Sequence, residues 1–408
     1  MEAWTKLRND VIGWNYRNIL KPILFKFDPE DIHDLFVKVG NFLGRASLPR
    51  YLTGVLFDYE NPALEQEILG IKFKNPIGLS AGFDKNAKLT QIISKVGFGF
   101  TEIGSVTGRP CKGNEGRHLW RLPKSESLIV YYGLTNDGAE NIANRLGATE
   151  IGSGYARSNR FRPQGNFVLG VSLAKTNDRE TTTTEAGIED YIKAYEAFLK
   201  TEVGDYFTIN ISCPNTFGGE PFVEPERLDL LLFAFAKVRD GQSGRGLASV
   251  KTRPLFVKLP PDLSDEKLDA IIELVKKYKI NGFVSTNLTK DRNNPLIKDK
   301  IKDPLPTDKG GLSGKIVEEL ATKQIEYIYK KIKDLPQTER PIIIGCGGIF
   351  TAEDAYNKIK AGASLLQLIT GMIFEGPQVI SEINQGLVAL LQKDGYKNIS
   401  EAVGKNNL

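Results

Sequence analysis

Eight apolar, strand-like runs alternate with amphipathic helical stretches along this chain, and that alternation leaves few folds open. The runs are PIGLSA (76–81), FTEIGSV (100–106), NFVLGVSLA (166–174), DYFTINISC (205–213), PLFVKLPP (254–261), GFVSTN (282–287), PIIIGCGG (341–348) and LLQLIT (365–370). Between them lie IEDYIKAYEAFLKTE, SDEKLDAIIELVKKYK and GKIVEELATKQIEYIYKKI, several opening on a Ser, Thr or Asp able to cap a first helical turn. Nearly continuous apolar strands belong to sheets covered on both faces, and eight β–α units close such a sheet into a (β/α)8 TIM barrel. The expectation is therefore an α/β barrel over 62–395, preceded by a small N-terminal helical extension at 1–48 and a Pro-containing link from Leu48 to Pro62. The segment LEQEILGIKFKN reads as a hairpin plugging the barrel floor. Polar insertions at 147–165 and 289–311 read as loops, the second long and charged enough to be a functional lid or a mobile segment.

Charge and composition narrow the partners. The 54 basic and 50 acidic residues are spread along the whole chain, without the polybasic block that a nucleic-acid partner would call for. Cys111, Cys213 and Cys346 are too few and too scattered for a disulfide framework or a CxxC metal site, so no metal is expected. No run of about 18 apolar residues occurs, and MEAWTKLRND lacks the basic-then-apolar order of a cleavable signal. Residues 11–45 nevertheless place Trp, Leu, Ile and Phe at helical spacing with Lys and Arg between them, a pattern equally suited to a helix pair lying in a lipid interface or packed on the main domain.

Barrel enzymes carry their chemistry at the carboxyl ends of the strands, and polar residues accumulate there. Lys85 follows the first run, Ser105 the second, Ser172 and Lys175 the third, Lys258 lies in the fifth, and Thr286 and Asn287 follow the sixth. Runs seven and eight end in GCGGIFTAEDA and LITGMIFEGP, glycine-bearing turns before helices, where backbone N–H groups can approach a phosphate. Lys258 interrupts an apolar strand; it reads either as half of a structural ion pair or as a positive charge held against a flavin ring that becomes anionic on two-electron reduction. In NISCPNTFGG, the amides of Asn210 and Asn215 and the hydroxyl of Thr216 surround one thiol, Cys213. Amides pair with a cyclic imide or carboxylate, and a thiolate can take a proton from carbon. An inert buried cysteine is the alternative.

SAGFDKN, EIGSVTGRP, NISCPNT, VKLPPDLS, STNLT, GGLSGK, GCGGI and AGASLLQLITGMIFEGP, in this order and spacing, resemble the dihydroorotate dehydrogenases over nearly the whole chain. FDPEDIHDLF and RHLWRLP further resemble the quinone-reducing, membrane-associated branch. The resemblance implies FMN-dependent oxidation of dihydroorotate to orotate in pyrimidine biosynthesis, with electrons passed to a quinone. It implies a peripheral membrane protein, on the cytoplasmic face of a bacterial-type inner membrane, held through the N-terminal helices. Carried over, Ala81, Gly82, Lys85, Ser105, Ser172, Asn210, Lys258, Thr286, Gly314, Gly348, Ile369 and Thr370 would hold FMN. Lys85, Asn210, Asn215, Thr216 and Asn287 would hold substrate, Cys213 would be the base, and His33 and Arg121 would line a quinone tunnel.

The chain departs from that branch at several positions. Cys213 stands where the branch has serine, Val130 where a substrate-binding Asn is expected, Leu134 where a Phe is usual, Ser172 where an Asn and Ile369 where a Tyr. Loss of one amide from a polar pocket removes roughly 1–3 kcal/mol of recognition. Two alternatives therefore stay open: an FMN enzyme acting on another dihydropyrimidine or cyclic imide, and a non-catalytic flavin-binding protein.

Overall fold

The computed structural model describes residues 2–147, 165, 167–241, 252–299 and 310–407. Four helices lead: α1 (Glu2–Asn15), α2 (Lys21–Leu24), α3 (Pro29–Leu43) and α4 (Ser47–Phe57), with one π-helical stretch, Tyr16–Leu20, joining α1 to α2. Asp28 caps α3, its carboxylate accepting from the Glu30 N–H at 2.8 Å, and Pro29 occupies the first turn, where no N–H is needed. The segment read as a link after Leu48 is instead helical to Phe57. Its proline, Pro49, falls in the first turn of α4, where a missing N–H costs nothing.

The strands in chain order are β1 (Gln66–Ile68), β2 (Ile71–Phe73), β3 (Ile77–Leu79), β4 (Phe100–Val106), β5 (Leu119–Leu122), β6 (Ser127–Val130) and β7 (Val168–Leu173). Then come β8 (Tyr206–Asn210), β9 (Leu255–Leu259), β10 (Gly282–Ser285), β11 (Gly311–Gly314), β12 (Ile342–Cys346) and β13 (Leu365–Leu368). Eight of them close a parallel barrel in the order β10-β12-β13-β3-β4-β7-β8-β9, each lying in one of the eight runs read from the sequence. The intervening helices α5 (Ala139–Gly147), α6 (Thr184–Lys200), α7 (Pro225–Arg239), α8 (Asp265–Lys277), α9 (Glu318–Ile332) and α10 (Ala352–Ala361) begin where local chemistry allows. Thr183 and Ser264 cap α6 and α8, and a Thr351/Asp354 capping box opens α10. After β13 the chain forms α11 (Thr370–Glu375) and α12 (Val379–Asp394).

The floor is plugged as expected. β1 and β2 pair antiparallel, and Phe73 packs beneath the barrel with Phe100, Tyr206 and Phe256. Phe73 and Phe100 meet edge to face with centroids 5.4 Å apart. Gly78 is required here, because a Cβ at that position would sit 2.3 Å from the Phe100 ring.

At the opposite end, an element absent from the sequence reading appears. β5, β6 and β11 form a three-stranded antiparallel sheet, with β6 in the centre. It stands over the carboxyl ends of the barrel strands, and α3 packs against β5. Short strands of four residues carry too little periodicity to be separated from loop. Apart from its ends, the insertion at 147–165 lies outside the described residues; the second is described to residue 299, where the Asp299 carboxylate accepts from the Lys124 and Ser125 N–H groups. Phe100→Ala, which empties the floor, should lower unfolding free energy by about 3–5 kcal/mol in urea titration.

Candidate active site

One cavity of about 1290 Å³, counting its mouth, opens at the carboxyl ends of the strands. Pockets that enclose small molecules and cofactors commonly span ~300–1,000 Å³. Its wall is assembled in barrel order: Ala81, Gly82 and Lys85 after β3, Ser105 on β4, Asn210, Cys213 and Asn215 at and after β8, and Lys258 on β9. Thr286 and Asn287 after β10, Gly314 on β11, Gly348 after β12, and Ile369 and Thr370 after β13 complete it. Two residues expected at this site stand elsewhere. Ser172 lies behind the wall and reaches it through Ser105, with the hydroxyls 2.7 Å apart. Thr216 turns its hydroxyl to the Gly219 carbonyl at 2.6 Å. Arg121, expected in a separate quinone tunnel, stands in a second cavity.

The amides are held by fixed partners. Asn210 donates to the Ser105 hydroxyl at 2.8 Å, Asn287 donates to the Ser212 carbonyl at 2.7 Å, and Asn215 donates to the Val130 carbonyl at 2.8 Å. The Asn215 side-chain oxygen is buried without a partner, so it points a free acceptor at whatever fills the space. Val130 thus contributes through its backbone: its apolar side chain lines the cavity while its carbonyl fixes Asn215.

Two ammonium groups face the cavity. Lys258 is only 4% exposed, and its Nζ has the Ser80 hydroxyl as its hydrogen-bond acceptor, at 3.4 Å. The Cys346 thiol touches that same hydroxyl at 3.6 Å. An ammonium carries three donors, so this one is under-satisfied and favours an anion beside it. Lys85 sits 3.3 Å above the Tyr132 ring centroid, and burial, opposed by Asp34, Glu30 and Asp84, brings it down to about 8. Cys213 opens onto the cavity, and burial pushes its thiol up to about 11, against the pull of the Asn215 N–H and Lys175. At neutral pH the thiol is therefore the resting form.

An under-satisfied cation, an unpaired acceptor and open space beyond Gly82 form a cradle for a large, partly anionic ligand with N–H donors. Gly348, at φ +69°, lets the turn after β12 lie close against the start of α9: a Cβ there would meet Glu318 at 2.3 Å. Gly82 faces open space up to Ile369, 3.8 Å from where a Cβ would stand. These residues fit a flavin, whose ring offers N–H groups and becomes anionic on reduction.

A second cavity of about 690 Å³ lies between the N-terminal helices and the barrel. Tyr16, Phe25, Ile32, Phe36, Met372 and Ile373 make it apolar, and His33, Phe83, Leu119, Leu128 and Ile373 line both cavities. Arg121 lies in it, its guanidinium 4.6 Å over the Phe25 ring and donating to the Phe27 carbonyl at 2.8 Å. His33 stands at the shared wall with Nε2 donating to the Phe83 carbonyl at 2.9 Å; burial and then Lys85 hold its pKa down. Ser80, Tyr132, Ser313 and Cys346 were not singled out from the sequence. Ser80 and Cys346 stand within runs that were read, but alternation alone does not say which face meets the cavity; Tyr132 and Ser313 belong to or adjoin the short sheet.

A closed (β/α)8 barrel with this polar cavity at the carboxyl ends of its strands defines a TIM-barrel enzyme. A family model described as Dihydroorotate dehydrogenase matches residues 63–391. The chain is 38% identical over 375 residues to a protein of Christiangramia forsetii named Dihydroorotate dehydrogenase (quinone), covering 91% of this chain and 98% of that one. It is 35% identical to a protein of the same name from Trichodesmium erythraeum, covering 96% and 99%. Among solved structures, the dihydroorotate dehydrogenase of Eimeria tenella in complex with ferulenol superposes with a TM-score of 0.74 at 28% identity, covering 93% of this chain and 96% of that one. The chain belongs to the dihydroorotate dehydrogenase family, and it is an oxidoreductase.

A thiol raised to about 11 should be a slow nucleophile at neutral pH. Its alkylation by iodoacetamide, followed by mass spectrometry of the Cys213 peptide, should rise about tenfold per pH unit from roughly pH 8 to pH 10.

Proposed function

We propose that this chain oxidises dihydroorotate to orotate with FMN as its cofactor and passes the electrons to a quinone. The observation that carries this reading is the convergence of Lys85, Cys213, Asn210, Asn215, Asn287 and Lys258 on one cavity, beside an apolar cavity that shares its wall. Ala81, Gly82, Ser105, Ser172, Asn210, Lys258, Thr286, Gly314, Gly348, Ile369 and Thr370 would hold FMN, Ser172 through Ser105. Bound there, FMN would supply the two-electron acceptor for the substrate's hydride and the relay of those electrons to the quinone.

The protein's own groups then divide the work. Lys85, charged below about 8, attracts the substrate carboxylate. The amides of Asn210, Asn215 and Asn287 are positioned to pair with the imide edge. Cys213, as thiolate, takes a proton from the substrate carbon next to the one that loses hydride, leaving the ring double bond of orotate. Lys258 keeps a positive charge beside the cofactor, where negative charge develops. The Val130 side chain in place of an amide supports a second reading, oxidation of another dihydropyrimidine or cyclic imide.

The second cavity fits a quinone head group, with His33 and Arg121 at its polar points. We further propose that the helical extension of α1–α4 rests on a membrane surface. Trp4, Trp14, Phe27, Phe42, Leu48 and Tyr51 are all more than half exposed on it. Among the described residues no helix is long and apolar enough to cross a membrane.

Anaerobic mixing of the yellow protein with dihydroorotate should bleach the flavin, and a soluble quinone should restore its colour; bleaching only by neutral cyclic imides would select the second reading. Cys213→Ala should keep FMN but reduce it at least ~100-fold more slowly. In the wild type, kcat should climb with pH as the thiolate fraction grows. KM for dihydroorotate should rise above about 8, where Lys85 loses its charge.

A further inference from the structure

Helix α3 and the β5–β6 hairpin meet at a polar pair that the chemistry above does not use. Glu30, in the first turn of α3, accepts from the His118 backbone N–H at 2.6 Å and faces the ring Nδ1 at 2.7 Å. The ring's Nε2 faces the Asn114 carbonyl at 2.7 Å. The ring is thus pinned between two oxygens, one on the Glu30 carboxylate and one on the Asn114 carbonyl. The ring lies on Tyr132, interplanar angle 12° and centroids 5.2 Å apart, and Lys85 stands over that same Tyr132 ring.

Asn114 carries the connection onward. Its amide donates to the Asn215 carbonyl at 3.0 Å and to the Tyr131 carbonyl at 3.0 Å, and its oxygen accepts from Asn177 at 3.1 Å. Asn177 in turn accepts from the Phe217 N–H at 2.5 Å, on the loop that holds Cys213. An unbroken chain, Glu30–His118–Asn114–Asn215, thus runs from α3 to the substrate loop. One turn along α3 from Glu30, Ile32, His33 and Phe36 wall the apolar cavity. The other charges nearby are Asp28 with Arg117 at 3.7 Å, Asp34 beside His33, and Lys85.

We propose that Glu30 and His118 are a positioning pair coupling the two cavities: an occupant seated against α3 and a substrate held by Lys85 and Asn215 each favour the same placement of α3, so each tightens the other. The pair is partly exposed, with side chains 27% and 19% accessible, so its contribution to overall stability is small and its effect is on placement. The coupling is reciprocal, as any linkage between two binding sites must be. This proposal rests on the quinone and dihydroorotate reading of the two cavities.

The test uses the full-length, flavin-loaded protein, titrated with orotate while flavin absorbance is followed, with and without saturating short-chain ubiquinone. In the wild type, ubiquinone should lower the orotate Kd by about 5-fold, the modest end of coupling between sites. His118→Phe keeps a ring on Tyr132 but deletes the pair; Glu30→Gln deletes it from the other side. Each should abolish the ubiquinone effect and raise the KM for dihydroorotate, with kcat and melting temperature little changed, and the double variant should add nothing further. A ubiquinone effect that survives in both variants, or a fall in melting temperature with KM and orotate Kd unmoved, would overturn the proposal. A wild type that binds no orotate at all would instead overturn the substrate reading.

Discussion

Lys258 sets the terms for the rest of the site. It is an ammonium on an inward-facing position of an otherwise apolar strand, 4% exposed, with one hydroxyl at 3.4 Å. Leaving such a charge under-satisfied costs several kcal/mol, roughly, unless an anion or a water-filled space compensates. The apolar barrel around it, floored by Phe73, Phe100, Tyr206 and Phe256, is rigid enough to keep that charge in place rather than let it move to solvent. What results is a binding site that favours an electron-rich occupant beside Lys258.

The N-terminal helices extend this logic outward. A closed barrel has one chemically rich end, and here that end is divided by a wall of His33, Phe83, Leu119, Leu128 and Ile373 into a polar and an apolar chamber. The polar chamber suits a charged, hydrogen-bonding ring; the apolar one suits a ring that partitions into lipid. The short sheet β5–β6–β11 supplies Leu119 and Leu128 to both chambers and Val130 and Gly314 to the polar one, so two substrates of opposite character can sit close without mixing solvents.

Much of this was legible in the residues. The eight barrel strands are runs of apolar and β-branched residues, buried on both faces, and such runs need no tertiary information to be recognised. Lys85, Cys213, Asn215 and Lys258 stood out because each puts a polar group at the end of such a run or inside it. The sheet β5–β6–β11 did not, because four-residue strands show too little alternation, and the third strand, Gly311–Gly314, pairs with β6 from far along the chain. Helix α4 was hidden by Pro49, which reads as a breaker until its place in a first turn is known. Thr216 sits in the most informative motif yet turns to Gly219, since backbone turn geometry, not motif membership, aims a side chain. The Glu30–His118 pair joins residues 88 apart and leaves no local trace.

The measurement that tests the account most directly is the midpoint potential of the bound flavin in the wild type and in Lys258→Met, by dye equilibration. Loss of a buried positive charge beside the reduced ring should lower the potential by roughly 30 mV or more, the two-electron equivalent of about 1.4 kcal/mol. An unchanged potential with flavin fully bound would contradict it, because Lys258 would then be a structural group and not the charge around which the cofactor site is built.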